Sequence, residues 1–166
     1  MGKSALITAL SSGEPEVASY PFTTKQLHLG HFVHRRRPYQ MVDTPGLLDR
    51  PMSERNRIEM QAIAALEHIG DALLFLVDAT EGSTSSLDEQ EHLLSEVKQL
   101  MSERPMIVIH SKSDILESPP EGAETLISAQ TGHGLEDLRA RLIETIAADV
   151  VVDPLSLPEN WHRNEE

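Results

Sequence analysis

The stretch Met41-Val42-Asp43-Thr44-Pro45-Gly46 decides the predicted fold. An apolar run ends in a carboxylate and a glycine follows three positions later, which is typical of a core strand that opens into a loop in a parallel α/β protein. Asp43 could hold a magnesium ion through water, and Gly46 would let a backbone N–H approach a terminal phosphate because it has no Cβ. This pattern is common by chance, so its interpretation depends on the motifs around it.

The composition is that of an ordinary globular chain. Its 166 residues are 39% hydrophobic and 25% charged, enough for one domain with a core. The absence of cysteine excludes a disulfide framework, a thiolate metal site and a cysteine nucleophile. The net charge of −13 argues against a broad electrostatic grip on nucleic acid, DNA included, although an acidic surface also suits a salt-rich cell. No apolar run approaches the roughly 20 residues that span a bilayer, so we expect a cytoplasmic protein without membrane contacts.

Gly2-Lys3-Ser4 corresponds to the end of the phosphate-binding loop G-x-x-x-x-G-K-[ST]. In that motif Lys3 would reach the β- and γ-phosphates, Ser4 would ligate Mg²⁺, and backbone N–H groups of the next helix, predicted from Ser4 to Leu10, would favour the anion. A tripeptide alone is weak evidence. The front of the motif and a preceding strand are missing, so either the chain is truncated at its start or the correspondence is a coincidence.

Two strands are predicted for Gln26–His34 and Pro38–Val42, joined by the basic turn Arg35-Arg36-Arg37. This turn is the only concentrated positive charge in the sequence, and it could touch a phosphate backbone or simply face water. Before these strands, Glu16–Thr24 contains Tyr20–Thr24, which is predicted to be an extended, proline-stiffened loop that ends in two hydroxyls. One hydroxyl could complete magnesium coordination when a γ-phosphate is present; the alternative is a surface loop anchored by a phenylalanine.

The second half of the chain alternates helices with fully apolar strands. One helix is predicted from Ser53 to about Ile69, and another begins at the capping-box sequence Ser86-Leu87-Asp88-Glu89. Ala72–Val77 and Pro105–Ile109 are predicted to be strands buried on both faces. A final helix carries its apolar side chains at helical spacing, at Leu135, Leu138, Leu142 and Ile146.

Lys112 and Asp114 follow the second of these apolar strands. Asp114 would accept hydrogen bonds from the N1 and N2 hydrogens of guanine while the stem of Lys112 lies on the ring, and adenine offers no such pair of donors. A backbone N–H near Ala129, at the end of a short strand predicted for Thr125–Ala129, could bind the base oxygen. The alternative is an ordinary polar loop between a strand and a helix.

The order of the motifs is more informative than any one of them. The motifs at Asp43, at Lys112 and at Ala129 each follow an apolar strand, and helices separate most of the motifs. This order predicts an α/β, doubly wound, mostly parallel sheet with ligand loops at the carboxyl ends of its strands. We assign residues 1–149 to one domain and residues 150–166 to a C-terminal tail.

Together these residues resemble the G domain of a translation-factor-class GTPase of the Obg/HflX branch, most similar to the nucleolar GTP-binding protein (Nog) type and its archaeal relatives. Three stretches carry the resemblance, Tyr20–Lys25, Asp43–Pro51 and Glu54–Ala62. It implies a P-loop NTPase G domain that here lacks its first strand, which lies in the middle of the sheet, so we expect a gap or a re-paired sheet. It also implies GTP and GDP as ligands, Mg²⁺ as cofactor, and assembly of the large ribosomal subunit, with rRNA and ribosomal proteins as partners.

The same resemblance implies the site residues. The nucleotide-binding residues would be Gly2, Lys3, Ser4, Asp43, Gly46, Ser111, Lys112, Asp114, Ser128 and Ala129. Ser4, Thr24 and Asp43 would hold the metal, and Thr24 and Gly46 would take part in catalysis.

Two positions depart from common GTPase patterns. Ser111 stands where the family usually has Asn, and the lost hydrogen bond would weaken nucleotide binding by about 0.5–1.5 kcal/mol. Leu47 stands where many GTPases have a water-orienting Gln, so we expect slow intrinsic hydrolysis that a ribosomal partner or a bound cation accelerates.

Three functions remain open from the sequence. The first is a GTP-binding module that acts as a slow GTPase switch in ribosome assembly. The second is a non-catalytic remnant that keeps the fold and a partner surface but binds nucleotide weakly. The third is an ATP-using P-loop protein, against which Lys112 and Asp114 argue. Nothing in the sequence indicates an oligomer.

Overall fold

The computed structural model describes residues 2–19, 26–43, 55, 57, 60, 63–64 and 68–149. The elements in chain order are α1 (Lys3–Leu10), β1 (Glu16–Ser19), β2 (Gln26–His34), β3 (Arg37–Asp43), β4 (Leu73–Val77), α2 (Leu87–Leu100), β5 (Met106–His110) and α3 (Leu135–Asp149). Described residues between 57 and 69 are helical and Gly70 is not, as predicted for a helix that ends at about Ile69. The predicted start of this helix at Ser53 lies outside the described residues, as does the predicted tail. Within the described ranges, no helix has the length and apolarity needed to cross a membrane.

The first sheet is antiparallel, in the order β1–β2–β3. β2 and β3 form the predicted hairpin, in which Phe32 lies opposite Tyr39 and the two rings stack with centroids 5.0 Å apart. Arg35 and Arg36 form the turn with φ angles of 46° and 66°, as a two-residue type I′ turn requires. This conformation costs a residue with a Cβ roughly 1–2 kcal/mol, so the pairing of the strands imposes it.

β1 is a strand that the sequence did not predict, while the loop predicted at Tyr20–Thr24 lies outside the described residues. Its residues pair antiparallel with β2, from Glu16 opposite Leu29 to Ser19 opposite Gln26. Val17 is 57% exposed, so ladder hydrogen bonds rather than burial define this edge strand, and an apolar pattern does not reveal it.

The second sheet is the predicted parallel pair of β4 and β5, in register from Leu73 opposite Met106 to Val77 opposite His110. The strand predicted at Thr125–Ala129 is wrong in extent, because a single parallel bridge joins His110 to Leu126 there. The chain leaves the sheet at once, since the Ser128 carbonyl accepts from Gly132 N at 2.9 Å and closes a loop.

The two sheets are not hydrogen-bonded to each other within the described part of the chain. The α/β class and the parallel pair confirm the predicted fold, and the sheet is divided between β3 and β4, in line with the gap expected in its middle.

Helical layers cover both faces of β4 and β5. One core cluster includes residues of α1 and α3 and consists of Leu6, Leu10, Leu76, Ile107, Ile109, Ile127, Leu138 and Leu142. The other includes residues of α2 and consists of Ile63, Leu93, Val97 and Met101, with Leu73, Phe75, Leu100 and Met106 packed against it. Burial on both faces explains why these strands are apolar throughout.

Two contacts hold the carboxyl half of α1 in place. It crosses β2 at the buried Gly30, where a Cβ would clash with Ser11 Oγ and Ile7 Cγ2. At its carboxyl end, Arg139 of α3 donates from Nη2 to Leu10 O at 3.1 Å. The helix is therefore fixed relative to both sheets.

Candidate functional site

The carboxyl end of β3 meets the start of α1. Gly2 has a left-handed φ of 77°, and its carbonyl accepts from Leu6 N at 2.9 Å. Ser4 Oγ donates to Asp43 Oδ2 at 2.9 Å, although 39 positions separate the two residues. With Lys3 on the same helical turn, the structure brings together three residues predicted for the phosphates and the metal.

The surroundings of Asp43 fit a magnesium ion. Its side chain is buried, and Oδ1 has no hydrogen-bond partner among the described residues. Oδ2 faces both Ser4 Oγ and His28 Nδ1, the latter 3.6 Å away. A buried carboxylate oxygen without a partner is costly, and carboxylate and hydroxyl oxygens are ligands that Mg²⁺ accepts. Thr24 and Gly46, also predicted for this end of the site, lie outside the described residues.

Lys112 is anchored by a buried anion. It adopts a left-handed φ of 59°, and its Nζ lies 2.7 Å from Oδ2 of Asp78, whose side chain is 1% exposed. Asp78 Oδ1 accepts from Thr80 N at 3.2 Å and Thr80 Oγ1 at 2.7 Å. Burial opposes ionisation of the Asp78 carboxyl, but the bonds from Lys112 and Thr80 outweigh it and hold the pKa below the ordinary value of 3.8.

Gln90 fixes the backbone of Asp78. Its Oε1 accepts from Asp78 N at 2.8 Å and its Nε2 donates to Asp78 O at 2.9 Å. Gln90 is 3% exposed and lies in the first turn of α2, which the Ser86 and Glu89 capping box begins as predicted. The cap was predicted from the sequence, but the roles of Asp78 and Gln90 were not. The available indication was a glutamine three positions before Leu93, on the apolar side of a helix.

The hydroxyls of Ser111 and Ser128 fix loops. Both residues are buried, and Ser111 Oγ donates to Val77 O at 3.1 Å, while Ser128 Oγ accepts from Thr131 N at 3.1 Å. In contrast, Asp114 is exposed and Ala129 is half-buried. Asp114 is thus open to solvent and Ala129 partly so, while the hydroxyls of Ser111 and Ser128 are used in bonds to the backbone of neighbouring loops and strands.

Most of the candidate site residues that the structure describes lie at the carboxyl ends of strands. Asp78 follows β4, Lys112 follows β5 and Ser128 follows the bridge at Leu126, and these three segments are parallel, so they leave the sheet at one edge. α1 connects this edge to Asp43, because Leu6 belongs to the same core cluster as Leu76 near the end of β4. The described residues form two groups, here called the phosphate end (Lys3, Ser4 and Asp43) and the base end (Lys112 and Asp114) after the roles predicted for them.

Solved structures define the class of protein. The G domain of the Thermotoga maritima FeoB iron transporter superposes with a TM-score of 0.68, covering 87% of this chain and 91% of that chain at 20% identity, which shows the fold alone. A crystal structure of a nucleolar GTP-binding protein 1 from Plasmodium falciparum gives a TM-score of 0.76 at 30% identity, covering 89% of this chain and 81% of that chain. The chain has the G-domain fold of P-loop GTPases.

Sequence relatives define the family. The family model for nucleolar GTP-binding protein 1 (NOG1) matches residues 57–114. The Caenorhabditis elegans nucleolar GTP-binding protein 1 is 36% identical over 166 residues, and an uncharacterized Methanocaldococcus jannaschii protein is 44% identical over 117 residues. These alignments cover 91% and 70% of this chain, but only 24% and 32% of the relatives. The chain belongs to the nucleolar GTP-binding protein 1 family and spans about a quarter to a third of the length of these relatives.

Proposed function

We propose that this chain binds GTP and GDP with Mg²⁺ and acts as a slow GTPase switch in assembly of the large ribosomal subunit. The observation that carries the proposal is the hydrogen bond from Ser4 Oγ to Asp43 Oδ2. It joins the hydroxyl predicted for the phosphate loop to the acid predicted for the magnesium ion. Chance occurrences of the two motifs would have no reason to meet in space.

At the phosphate end, Ser4 and Asp43 would hold the magnesium ion, which supplies a Lewis acid that neutralises charge on the phosphates. Lys3 adds a positive charge on the same turn. Backbone N–H groups at the start of α1 favour an anion, and no acidic side chain stands in the first turn to compete with it.

At the base end, Lys112 and Asp114 would select guanine. The ammonium group of Lys112 is fixed by Asp78, which leaves its stem in one place to lie against a ring, and the exposed Asp114 accepts the two guanine hydrogens. ATP would be excluded because adenine lacks this pair of donors.

Hydrolysis by the isolated chain would be slow. Leu47 cannot hydrogen-bond to the attacking water, so a ribosomal partner or a bound cation would have to assist hydrolysis. The relatives carry the name nucleolar GTP-binding protein 1, which supports a partner in ribosome assembly, and the family resemblance points to the large subunit. The cytoplasmic location expected from the sequence is part of the same proposal.

Titration of the chain with fluorescent GDP, with GTP and ATP as competitors, tests nucleotide binding. We expect GTP but not ATP to displace the probe, and EDTA to weaken its binding. Ser4→Ala should weaken magnesium-dependent binding at least tenfold, whereas Thr8→Ala, which removes an exposed hydroxyl from the same helix, should leave it within about twofold. Equal loss in both variants, or displacement by ATP, would contradict the proposal.

Single-turnover GTP hydrolysis, with and without large ribosomal subunits, tests the switch. We expect a slow rate for the chain alone and a higher rate with subunits. A fast rate in the isolated chain would show that the leucine at position 47 does not limit catalysis.

A second candidate function is a scaffold that binds nucleotide weakly. The position of Ser111 favours it, because its hydroxyl bonds to Val77 O and closes β5 onto β4, where the family's Asn would be expected to help hold the nucleotide. Absence of GDP binding, with the fold intact by circular dichroism, would support this alternative.

A further inference from the structure

Two loops carry the residues predicted to recognise the base. The first base loop, residues 111–114, follows β5, and the second base loop, residues 128–134, follows the segment that bridges to β5. Asp114 of the first loop would accept the N1 and N2 hydrogens of guanine, and the backbone N–H near Ala129 of the second would bind its oxygen. The separation of the two loops therefore decides whether both contacts can form with one base.

Ser113 connects the first base loop to the chain around the second one through two hydrogen bonds. Its backbone N–H donates to Ile127 O at 3.0 Å, and its Oγ lies 3.2 Å from Nδ1 of His133. The hydroxyl can donate to Nδ1 or accept from it, so either neutral tautomer of the imidazole allows the bond. Ser113 and His133 are 20 positions apart, so the folding of the two loops brings them together.

The backbone that carries His133 is fixed by its own loop. The carbonyl of His133 accepts from Ser128 N at 3.0 Å, and its N–H donates to Thr131 Oγ1 at 3.4 Å. Thr131 N in turn donates to Ser128 Oγ at 3.1 Å. Gly134 has a left-handed φ of 71° and lies so close to Leu126 O that a Cβ would clash with it. The imidazole ring thus projects from a loop with several internal bonds and a close backbone contact.

Ser111 fastens the first base loop at a different place. Its hydroxyl donates to Val77 O of β4 at 3.1 Å, so its one hydrogen is directed at the sheet. Ser113 faces the second base loop instead. Asp114, the next residue, is exposed, so burial does not position it, and the two bonds of Ser113 act directly on the backbone that leads into it.

We propose that the bond between Ser113 and His133 holds the two base loops at the separation at which Asp114 and the N–H near Ala129 contact one guanine together. Ser113 and His133 are positioning residues, since each acts through the loop that carries it and neither has to touch the nucleotide. The inference rests on the proposed recognition of guanine by Asp114, and it adds that selectivity for the base depends on a side-chain bond between the loops.

Titrations of the full chain with GDP and IDP test the positioning role. IDP lacks the N2 amino group of guanine, so the ratio of GDP affinity to IDP affinity reports the placement of Asp114. Ser113→Ala and His133→Ala should each lower GDP affinity roughly threefold, as the loss of one exposed hydrogen bond would. Each should lower IDP affinity less, because IDP makes only one of the two bonds to Asp114.

Two further variants identify the bond itself. The double variant of Ser113→Ala and His133→Ala should bind GDP no more weakly than either single variant, because both changes remove the same interaction. His133→Asn should restore native GDP affinity, since its side-chain amide can occupy the place of Nδ1 and donate or accept there. Additive losses in the double variant, or no recovery in His133→Asn, would overturn the proposal.

Matched controls remove the same kinds of side chain outside both base loops. Ser102→Ala lies in the turn at the opposite end of β5, and His92→Ala lies on α2, where the ring is largely exposed. Both should bind GDP and IDP within about twofold of the native chain, as surface changes usually do. If Ser113→Ala and His133→Ala behave like these controls, the inference is wrong.

The remaining outcomes separate two failures. A lower Tm with equal losses of GDP and IDP affinity would show general loosening of the loops, which overturns the positioning role but leaves the proposed function intact. If the native chain itself binds no GDP, the proposed function fails, and the positioning role fails with it.

Discussion

At the scale of single residues, the position of Lys112 at the base end depends on the buried carboxylate of Asp78. Asp78 is almost completely buried, and its two carboxylate oxygens are divided between Lys112 and Thr80. Hydrogen bonds from Lys112 and Thr80 hold the pKa of Asp78 below its ordinary value of 3.8, so the carboxyl is ionised at neutral pH. Lys112 is thus oriented by a residue that would not itself touch the nucleotide.

Asp78→Asn should weaken GDP binding by roughly tenfold. Hydrogen bonds to charged groups are worth about 1.5–3 kcal/mol, and the partial exposure of Lys112 places the effect at the lower end of that range. Fluorescent GDP titration measures the loss, and Asp88→Asn, at an exposed position in the first turn of α2, serves as the control. Unchanged affinity in Asp78→Asn would show that the orientation of Lys112 does not matter for binding.

His110 should make the fold sensitive to mild acid. Burial lowers its pKa from the ordinary value of 6.5, and its Nδ1 is buried without a hydrogen-bond partner in the described structure. Below about pH 6.5 the unfolded chain therefore binds more protons than the folded one, and the free energy of unfolding falls as the pH is lowered.

Urea unfolding at pH 7.5 and pH 5.5 checks this expectation. The decrease in stability should be smaller in His110→Gln than in the native chain, while His92→Gln, at a largely exposed residue of α2, should decrease like the native chain. If both variants behave alike, another group causes the pH dependence.

At the scale of elements, the contact of α1 with β2 places the phosphate end of the site. Gly30→Val should lower the free energy of unfolding by about 1–3 kcal/mol, which is typical of overpacking, because the new side chain would clash with Ser11 and Ile7. It should also weaken GDP binding, since Lys3 and Ser4 move with the helix. Gly13→Val is the control, because a Cβ there meets nothing within 4 Å.

Urea midpoints and GDP affinities of the two variants give the test. A Gly30→Val protein with unchanged stability would mean that α1 can move away from β2 at little cost.

Elements that are determined by residues close together in the chain were predictable from the sequence. The hairpin of β2 and β3, the apolar strands β4 and β5, and the capping box of α2 each follow from residues close together in the chain. β1 was not predictable in this way, because its order comes from pairing with β2 rather than from an apolar pattern of its own. Gln90 was missed for a similar reason, since its role depends on the backbone of a residue 12 positions away.

At the scale of the whole molecule, α1 joins two sheets that are otherwise separate in the described structure. Leu10 is fully buried in the core cluster with β4, β5 and α3. Leu10→Ala should therefore cost about 2–5 kcal/mol of unfolding free energy, and Leu87→Ala, at a residue that is 42% exposed, should cost much less. Urea denaturation followed by circular dichroism compares them, and similar midpoints would show that α1 contributes little to cohesion.

The meeting of Ser4 with Asp43 was predictable from the sequence, but the contacts that support the candidate site were not. Lys3, Ser4 and Asp43 come together as a pair of short motifs required, whereas nothing local indicated that Asp78 would hold Lys112. Long-range supports of this kind depend on how strands stack, which is settled by packing over the complete core.

The tip of the hairpin of β2 and β3 makes the distribution of charge over the molecule uneven. Three exposed guanidinium groups, at Arg35, Arg36 and Arg37, protrude from one corner of a chain whose net charge is −13. Near a polyanion the bulk of the chain is repelled while this corner is attracted, so the molecule experiences a torque before any contact forms. The first contact with a polyanion would therefore be made through the hairpin tip. Added salt shortens the range of the electric field, so it would make the orientation of the approaching molecule more random.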